Sequence, residues 1–399
     1  MAAPLKAAGA AATAATAVSG SGFVPRTTFE VSSQISRSYF LGHHAGALTS
    51  MRRILSNISL IIECRDSRVP LTSTNPLLES SLAGRDRIIV YTKSDLGFPP
   101  SAGRFRQAQQ NLLSRWHAER HGIITEHRPG EAGAAGGIFG PGRTEVVFTD
   151  ERQPKTIQKL LDAMKERAAA ADSLTGLRAL VVGMPNAGKS TLLNAMRRVG
   201  MHLGKAARTG AQPGITRKLS SPVRVIPEDS AAGIEQGVFV FDTPGVFVPY
   251  VGDLESMLKL SLVGCVKDGI VPVETVADYL LYWLNLKDPA AYADFCPPTN
   301  DVAAFLDGVA VRTGKLLKGG APGRELAATW VVQQWRKGNL GQFGLDEVNE
   351  EVLREWARKG QGAGVGDQEP ISMNQARKRE KEARKAYKLA KRQASAGGP

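Results

Sequence analysis

Apolar positions along this chain recur in two rhythms, and the change from one to the other divides it. Within residues 37–57, Leu48, Met51, Ile54 and Leu55 return at helical spacing, which predicts a helix feeding the apolar run 58–63. That run reads as a buried strand. Further strands are predicted at 87–91, 145–148 and 177–182, with shorter candidates at 122–125 and 238–241. The strand at 177–182 runs into a glycine-rich turn and then a helix over 190–199. Strands alternating with helices predict an α/β domain with a mostly parallel sheet. Beyond about residue 250 helical spacing takes over, with Val276, Leu280 and Leu284, and later Leu326, Trp330 and Val331, marking apolar faces. A smaller all-helical domain is expected there.

Low-complexity stretches supply the remaining divisions. Residues 129–143 are rich in Gly and Ala and read as a surface insertion, and 360–367 as a glycine-rich linker. Residues 374–393 carry nine Lys or Arg against two Glu, which predicts a solvated basic helix. The first 29 residues are Ala-, Ser-, Thr- and Gly-rich, hold only Lys6 and Arg26 as basic groups, and precede the first acidic residue, Glu30. That composition fits an organelle transit peptide, a plain Ala-rich tail being the alternative. The expected division is 1–33 leader, 34–250 α/β domain, 251–359 helical domain and 360–399 linker with basic tail.

Composition narrows the class. With 399 residues, 42% of them hydrophobic, the chain can bury a substantial core. A net charge of +13 points to a polyanionic partner, RNA or an anionic membrane surface. Cys64, Cys265 and Cys296 include no CxxC pair, so neither a disulfide framework nor a cysteine zinc site is indicated. No apolar run approaches the roughly 20 residues that cross a bilayer, which argues against an integral membrane protein and leaves peripheral attachment open.

The chemistry concentrates after the strand at 177–182. Residues 183–190, Gly-Met-Pro-Asn-Ala-Gly-Lys-Ser, match GxxxxGK[ST] in the strand-to-helix context that motif requires. Glycines let backbone N–H groups turn toward phosphate oxygens, and the helix that follows presents its positive end to the same anion. Pro185, Asn186, Ala187, Gly188, Lys189, Ser190 and Thr191 are thus candidate phosphate-binding residues, Lys189 bridging the β- and γ-phosphates. Ser190 would ligate Mg²⁺ with Asp242 of Asp242-Thr243-Pro244-Gly245, and the Gly245 amide would face the γ-phosphate.

A phosphate loop alone does not distinguish ATP from GTP. Thr92-Lys93-Ser94-Asp95, at a strand end, resembles the guanine-specificity motif NKxD, with Thr at the Asn position. Asp95 would accept from the guanine N1–H and 2-amino groups while the Lys93 stem lies over the ring. In ordinary GTPases this motif follows the phosphate loop, whereas here it precedes it and Asp242 follows as usual. A parallel sheet permits such rotation, because strands keep their places while the chain ends move. The sequence here resembles the circularly permuted GTPases of ribosome assembly, in the YlqF/RbgA-like branch and its mitochondrial ribosome-associated GTPase 1 subfamily. Leu41-Gly42-His43-His44 resembles that family's PGHM segment, with Leu41 for Pro and His44 for Met. Arg65-Asp66-Ser67-Arg68-Val69-Pro70 and Asn75-Pro76 are similar to its DARxP and NP segments, and Arg336-Lys337-Gly338-Asn339-Leu340-Gly341 to its RxGxLG stretch.

Val246 occupies the position where many GTPases carry a water-orienting Gln, and the resemblance implies that His43 substitutes, with His44 as rival. Asn186 resembles the K⁺ ligand of potassium-activated GTPases, and Thr216 is the candidate switch threonine that reaches Mg²⁺. The expected cofactors are GTP, Mg²⁺ and K⁺. The resemblance further implies a partner, the mitochondrial large ribosomal subunit and its rRNA. It points to the matrix side of the mitochondrion, with peripheral contact to the inner membrane left open, and to a monomer. A non-catalytic placeholder that binds nucleotide for stability, and an ATP-dependent P-loop protein, are the competing readings.

Overall fold

A computed structural model describes residues 3–6, 23–31, 51, 53–82, 84–121, 142–171, 173, 175–207, 221–246, 251 and 253–362. Strands β1 (Ala3–Lys6) and β2 (Thr28–Val31) form an antiparallel pair. The main sheet contains β3 (Leu60–Asp66), β4 (Arg87–Thr92), β5 (Thr144–Phe148), β6 (Leu177–Gly183), β7 (Val223–Ile226) and β8 (Val238–Asp242). Its spatial order is β5-β4-β3-β6-β8-β7, parallel except for the edge strand β7. Every residue of β3 and β4 is buried, as expected of central strands covered on both faces. The observed β3 is shifted from the expected 58–63 toward Asp66, because Ser59 and Leu60 join the ladder only after the turn at Leu55–Asn57 closes.

Helices cover both faces. On one, α3 (Pro154–Ala171) and α4 (Lys189–Met201) bury Ile157, Leu160, Leu161, Met164, Leu192, Leu193 and Met196 against the sheet. On the other, Met51, Leu55 and Ile58 pack with Leu78 of α1 (Pro76–Ser81) against Ile61, Leu180 and Val182. Met51 and Leu55 thereby occupy the interior positions their spacing predicts, while residues 37–50 of the same expected helix lie outside the described residues. Further along this face, α2 (Gly103–His121) sets Leu113 and Trp116 against Ile89 and Tyr91.

Past Asp242 the described chain is helical: α5 (Leu254–Leu262), α6 (Val273–Lys287), α7 (Val302–Thr313), α8 (Arg324–Arg336) and α9 (Glu350–Gly362). Asp253 and Asp301 start α5 and α7 by accepting from the Ser256 and Ala303 backbone amides at 2.6 and 2.8 Å. Helices α5 to α8 share one core that includes Tyr279, Leu280, Leu284, Phe305, Val331 and Trp335. Leu326 departs from its expected role. It is exposed, because α8 turns Ala327, Ala328, Val331 and Val332 inward, on the side where it packs with α6 and α7.

The leader expected over 1–33 overlaps packed chain. Phe29 and Val31 of β2 are buried in the helical core, Arg26 pairs with Asp278 at 2.6 Å, and Asn300 Nδ2 donates to the Val24 carbonyl at 2.9 Å. The strand expected at 122–125, most of the 129–143 insertion and the basic tail 374–393 lie outside the described residues. The glycine linker expected from 360 begins within the last turn of α9.

Candidate functional site

Register places the candidate loops on one edge. Asp66 pairs with Thr92, Cys64 with Gly183 and Val181 with Asp242, so β3, β4, β6 and β8 end side by side and their loops leave the carboxyl edge together. In an open parallel sheet that edge is where ligands bind. Chain order is irrelevant to this outcome, since only strand position and direction decide which loops converge.

The two candidate nucleotide loops touch directly. Thr92 Oγ1 donates to the Ala187 carbonyl at 2.9 Å, and Lys93 Nζ donates to the Asn186 carbonyl at 2.8 Å. Lys93 and Asn186 both have φ of 55°, two of the three non-glycine residues with positive φ among those described. Left-handed backbone at such residues costs roughly 1–2 kcal/mol each, so the surrounding bonds must hold it in place. Gly188 has φ of 84°, and a side chain there would come within 3.2 Å of Thr92 Oγ1. The Thr at the Asn position therefore serves as a tether between the base-reading loop and the phosphate loop.

The phosphate loop delivers Lys189 and Ser190 at the start of α4. Lys189 Nζ donates to the Met184 carbonyl at 2.6 Å and the Gly183 carbonyl at 3.2 Å, which holds the ammonium against the loop. Burial pushes its pKa down, opposed by Asp242 and buried Cys64, which favours an anionic phosphate as a further partner. Cys64 lies beneath the loop with its thiol pushed up to about 12 by burial, so it is inert packing. Ser190 Oγ donates to Asp242 Oδ2 at 2.6 Å, and burial raises the Asp242 pKa. Gly245 lies against Pro185, and the Val246 amide donates to the Gly183 carbonyl at 3.1 Å. The Val246 side chain is buried beside Leu180 and Val182, turned into the core. Thr191 is partly buried in the first turn of α4.

Asp95 is half-buried just beyond Lys93. Burial and then the neighbouring Asp150 push its pKa up, an environment in which the two N–H donors of guanine would favour the charged form. The Ser94 amide donates to the Thr149 carbonyl at 3.1 Å, so the loop after β5 frames the base-reading loop. Thr149 and Asp150 carried no recognisable motif and were not expected at this site. His43, His44 and Thr216 lie outside the described residues.

Two further groups brace this edge. Asp66 is fully buried and takes a fork from Arg68, Nε at 3.0 Å and Nη2 at 2.8 Å, plus Lys93 Nζ at 2.8 Å. Burial alone would raise its pKa, but Arg68 and Lys93 override it and hold the carboxyl well below its ordinary range. Asp346 accepts from the Leu71 and Thr72 amides at 2.9 and 2.8 Å, which clamps the chain after β3 to the chain after α8. The RDSRVP resemblance pointed at the first group, whereas no local signal marked the second.

A strand-to-helix phosphate loop bonded to a Thr-Lys-Ser-Asp loop from two strands away defines a P-loop GTPase whose motifs run in circularly permuted order. Residues 178–290 match the protein family described as 50S ribosome-binding GTPase. Mitochondrial GTPase 1 of Schizosaccharomyces japonicus is 37% identical over 328 residues, spanning 79% of this chain and 91% of its own length. Mitochondrial ribosome-associated GTPase 1 of Xenopus tropicalis is 29% identical over 340 residues, spanning 80% and 98%. The crystal structure of GNP-bound YlqF from T. maritima covers 76% of this chain at 20% identity, with a TM-score of 0.45. The chain belongs to the mitochondrial GTPase 1 family. It is a GTPase that takes a guanine nucleotide, and Mg²⁺ is the metal typical of such proteins.

Proposed function

We propose that the chain is a hydrolysing switch that docks on the maturing mitochondrial large ribosomal subunit and leaves after turnover. The observation carrying this reading is the bonded junction of Thr92 and Lys93 with Ala187 and Asn186, which lets one nucleotide touch both loops. The names of the relatives and the net charge of +13 support an rRNA-bearing partner. In this reading the chain works on the matrix side of the mitochondrion as a monomer, with peripheral contact to the inner membrane left open. No helix among the described residues is long and apolar enough to cross a membrane.

The residues divide the work by position. Lys189 and the amides of residues 185–191 hold the phosphates, Asp95 reads guanine and Gly245 faces the γ-phosphate. Ser190 and Asp242, a hydroxyl and a carboxylate 2.6 Å apart, supply the hard oxygens Mg²⁺ prefers, and Thr216 would join them. Mg²⁺ held by these residues would supply positive charge against the negative charge of the phosphates. Asn186 donates to the Gly264 carbonyl at 2.7 Å, a bond that fixes its amide plane for a role toward K⁺. With Val246 turned into the core, the attacking water must be oriented from elsewhere, and His43 is the assigned group, His44 its rival. The basic segment 374–393 adds phosphate contacts on the particle.

GTP turnover by the full-length chain, alone and with mitochondrial large subunits, tests this. Stimulation by the particle is expected. Tight binding without turnover would instead make the chain a nucleotide-stabilised rRNA placeholder. Equal rates in KCl and NaCl would remove the Asn186 ion role, and unchanged turnover in His43→Ala would remove the His43 assignment.

A further inference from the structure

The end of α8 is wired to both nucleotide loops. Arg336 Nε donates to the Leu262 carbonyl at 2.9 Å and Nη2 to the Ser261 carbonyl at 2.7 Å, capping the C-terminus of α5. Asp268 holds the same guanidinium at 3.0 Å. The turn so fixed carries Gly264, whose carbonyl accepts from Asn186 of the phosphate loop. On the other side, Arg68 stacks over Trp335 at 4.8 Å, reaches the Arg336 carbonyl at 3.5 Å and forks onto Asp66, which binds Lys93. Lys93 returns to the Asn186 carbonyl, closing a ring. Just past Arg336, Gly338 sits so close to Leu96 that a side chain would lie 2.7 Å from its Cδ2, beside Asp95.

Apart from the 3.5 Å reach of Arg68 to the Arg336 carbonyl, the hydrogen bonds of the ring are short, and most of its members are buried, so the geometry of one loop constrains the other. We propose that Arg336 is a positioning residue for the guanine-nucleotide site. It touches no substrate position; it sets Asn186 through the α5 turn and, with the Trp335–Arg68–Asp66 branch, sets Lys93. A displacement of α8 by a docked particle would then alter nucleotide affinity, and nucleotide binding would alter docking by the same factor. The inference rests on the reading that residues 92–95 and 183–190 hold one guanine nucleotide.

Full-length Arg336→Ala, with fluorescent N-methylanthraniloyl-GDP as probe, tests it. A loss of affinity of about tenfold is expected, within the usual range for coupled sites, with the far-UV spectrum unchanged. Arg336→Lys should recover only part, since one ammonium cannot span Ser261, Leu262 and Asp268 at once. The Arg336→Ala and Asn186→Ala changes should be non-additive in a double-mutant cycle, which a merely structural effect of Arg336 would not produce. Arg324→Ala, which breaks the exposed Arg324–Asp307 pair at the other end of α8, should leave affinity unchanged. If Arg336→Ala does not fold, Asp268→Asn, at the exposed side of the guanidinium, must still weaken probe binding. Wild-type affinity in folded Arg336→Ala or Asp268→Asn, or an additive cycle, would overturn the proposal. Failure of the wild-type chain itself to bind the probe would overturn the nucleotide-site reading first and this inference with it.

Discussion

Replacing Thr92 by Val keeps the side-chain shape and deletes one hydroxyl, which makes it the sharpest probe of the junction between the two loops. That hydroxyl donates to the Ala187 carbonyl at 2.9 Å, with the Arg65 carbonyl at 3.2 Å, and both Ala187 and Thr92 are buried. A buried acceptor deprived of its donor costs about 1–3 kcal/mol. Lys93 to Asn186 would then be the remaining bond described between the loops, so most of the cost should fall on their mutual placement. Expressed in affinity, 1–3 kcal/mol corresponds to roughly a 5- to 150-fold rise in GDP dissociation constant. Titration of a fluorescent GDP measures it, alongside urea unfolding monitored by far-UV signal. Thr92→Ser keeps the donor and is expected to bind within about threefold of the wild type, a difference under 1 kcal/mol. Valine binding GDP as tightly as threonine would refute the tether.

Three further outcomes follow from buried groups. Glu63 is buried between Arg65 at 2.7 Å and Arg87 at 3.0 Å, so Glu63→Ala takes a buried carboxylate from two guanidinium groups, Arg65 keeping Glu79 at 3.1 Å, and should lose about 3–5 kcal/mol in urea unfolding; a loss under about 1 kcal/mol would contradict the network. Asp66 has its folded pKa depressed, so its contribution is complete above the unfolded carboxylate value of about 3.9 and is lost as pH falls through and below it. Asp66→Asn should therefore be less stable at pH 7 and show a shallower fall between pH 5 and 3, and parallel curves would sink the assignment. Deleting residues 1–22 should leave the helical half folded, whereas deletion through Val31 removes Phe29 and Val31 from its core. A buried Phe alone is worth about 3–5 kcal/mol, so the longer deletion should melt several degrees lower, and equal melting would remove β2 from the fold.

What the sequence disclosed followed the range of the forces involved. Residues 87–92 and 177–183 announce themselves because central parallel strands are apolar on both faces, and residues 183–190 because a phosphate loop must be built from small residues at fixed offsets. The edge strand β7 was missed, since Val223 and Arg224 are only partly buried and a bulge at Arg224 to Ile226 breaks its alternation. Helix α2 was missed for a related reason: its long polar face and few apolar contacts, Leu113 and Trp116, leave little periodicity to read. Val24–Val31 was absorbed into an apparent leader because its partners, Asp278, Tyr282 and Asn300, lie some 250 positions away along the chain. Nothing local can advertise contacts at that separation.

The permuted order has a mechanical consequence that an ordinary order would lack. In this chain the loop leaving β3 sits between the loops leaving β4 and β6, and it carries Asp66 and Arg68 into the gap. From there Arg68 meets Trp335, and its carbonyl accepts from the Leu345 amide at 2.7 Å, so the middle of the nucleotide edge is also the seat of the helical half. On the far side, Asp242 to Val246 leads after a short passage into α5, whose end is gripped by Arg336. The helical half is thus attached at two places that flank the 183–190 loop, one through a buried carboxylate shared by two cations and one through the chain itself. Losing either cation leaves this buried carboxylate with a single ionic partner and fewer of its oxygen lone pairs met, a cost that a low-dielectric setting enlarges. Any movement of α8 must therefore carry Arg68, Asp66 and Lys93 with it or break a bond whose loss is costly, and the fold makes the first course the cheaper one.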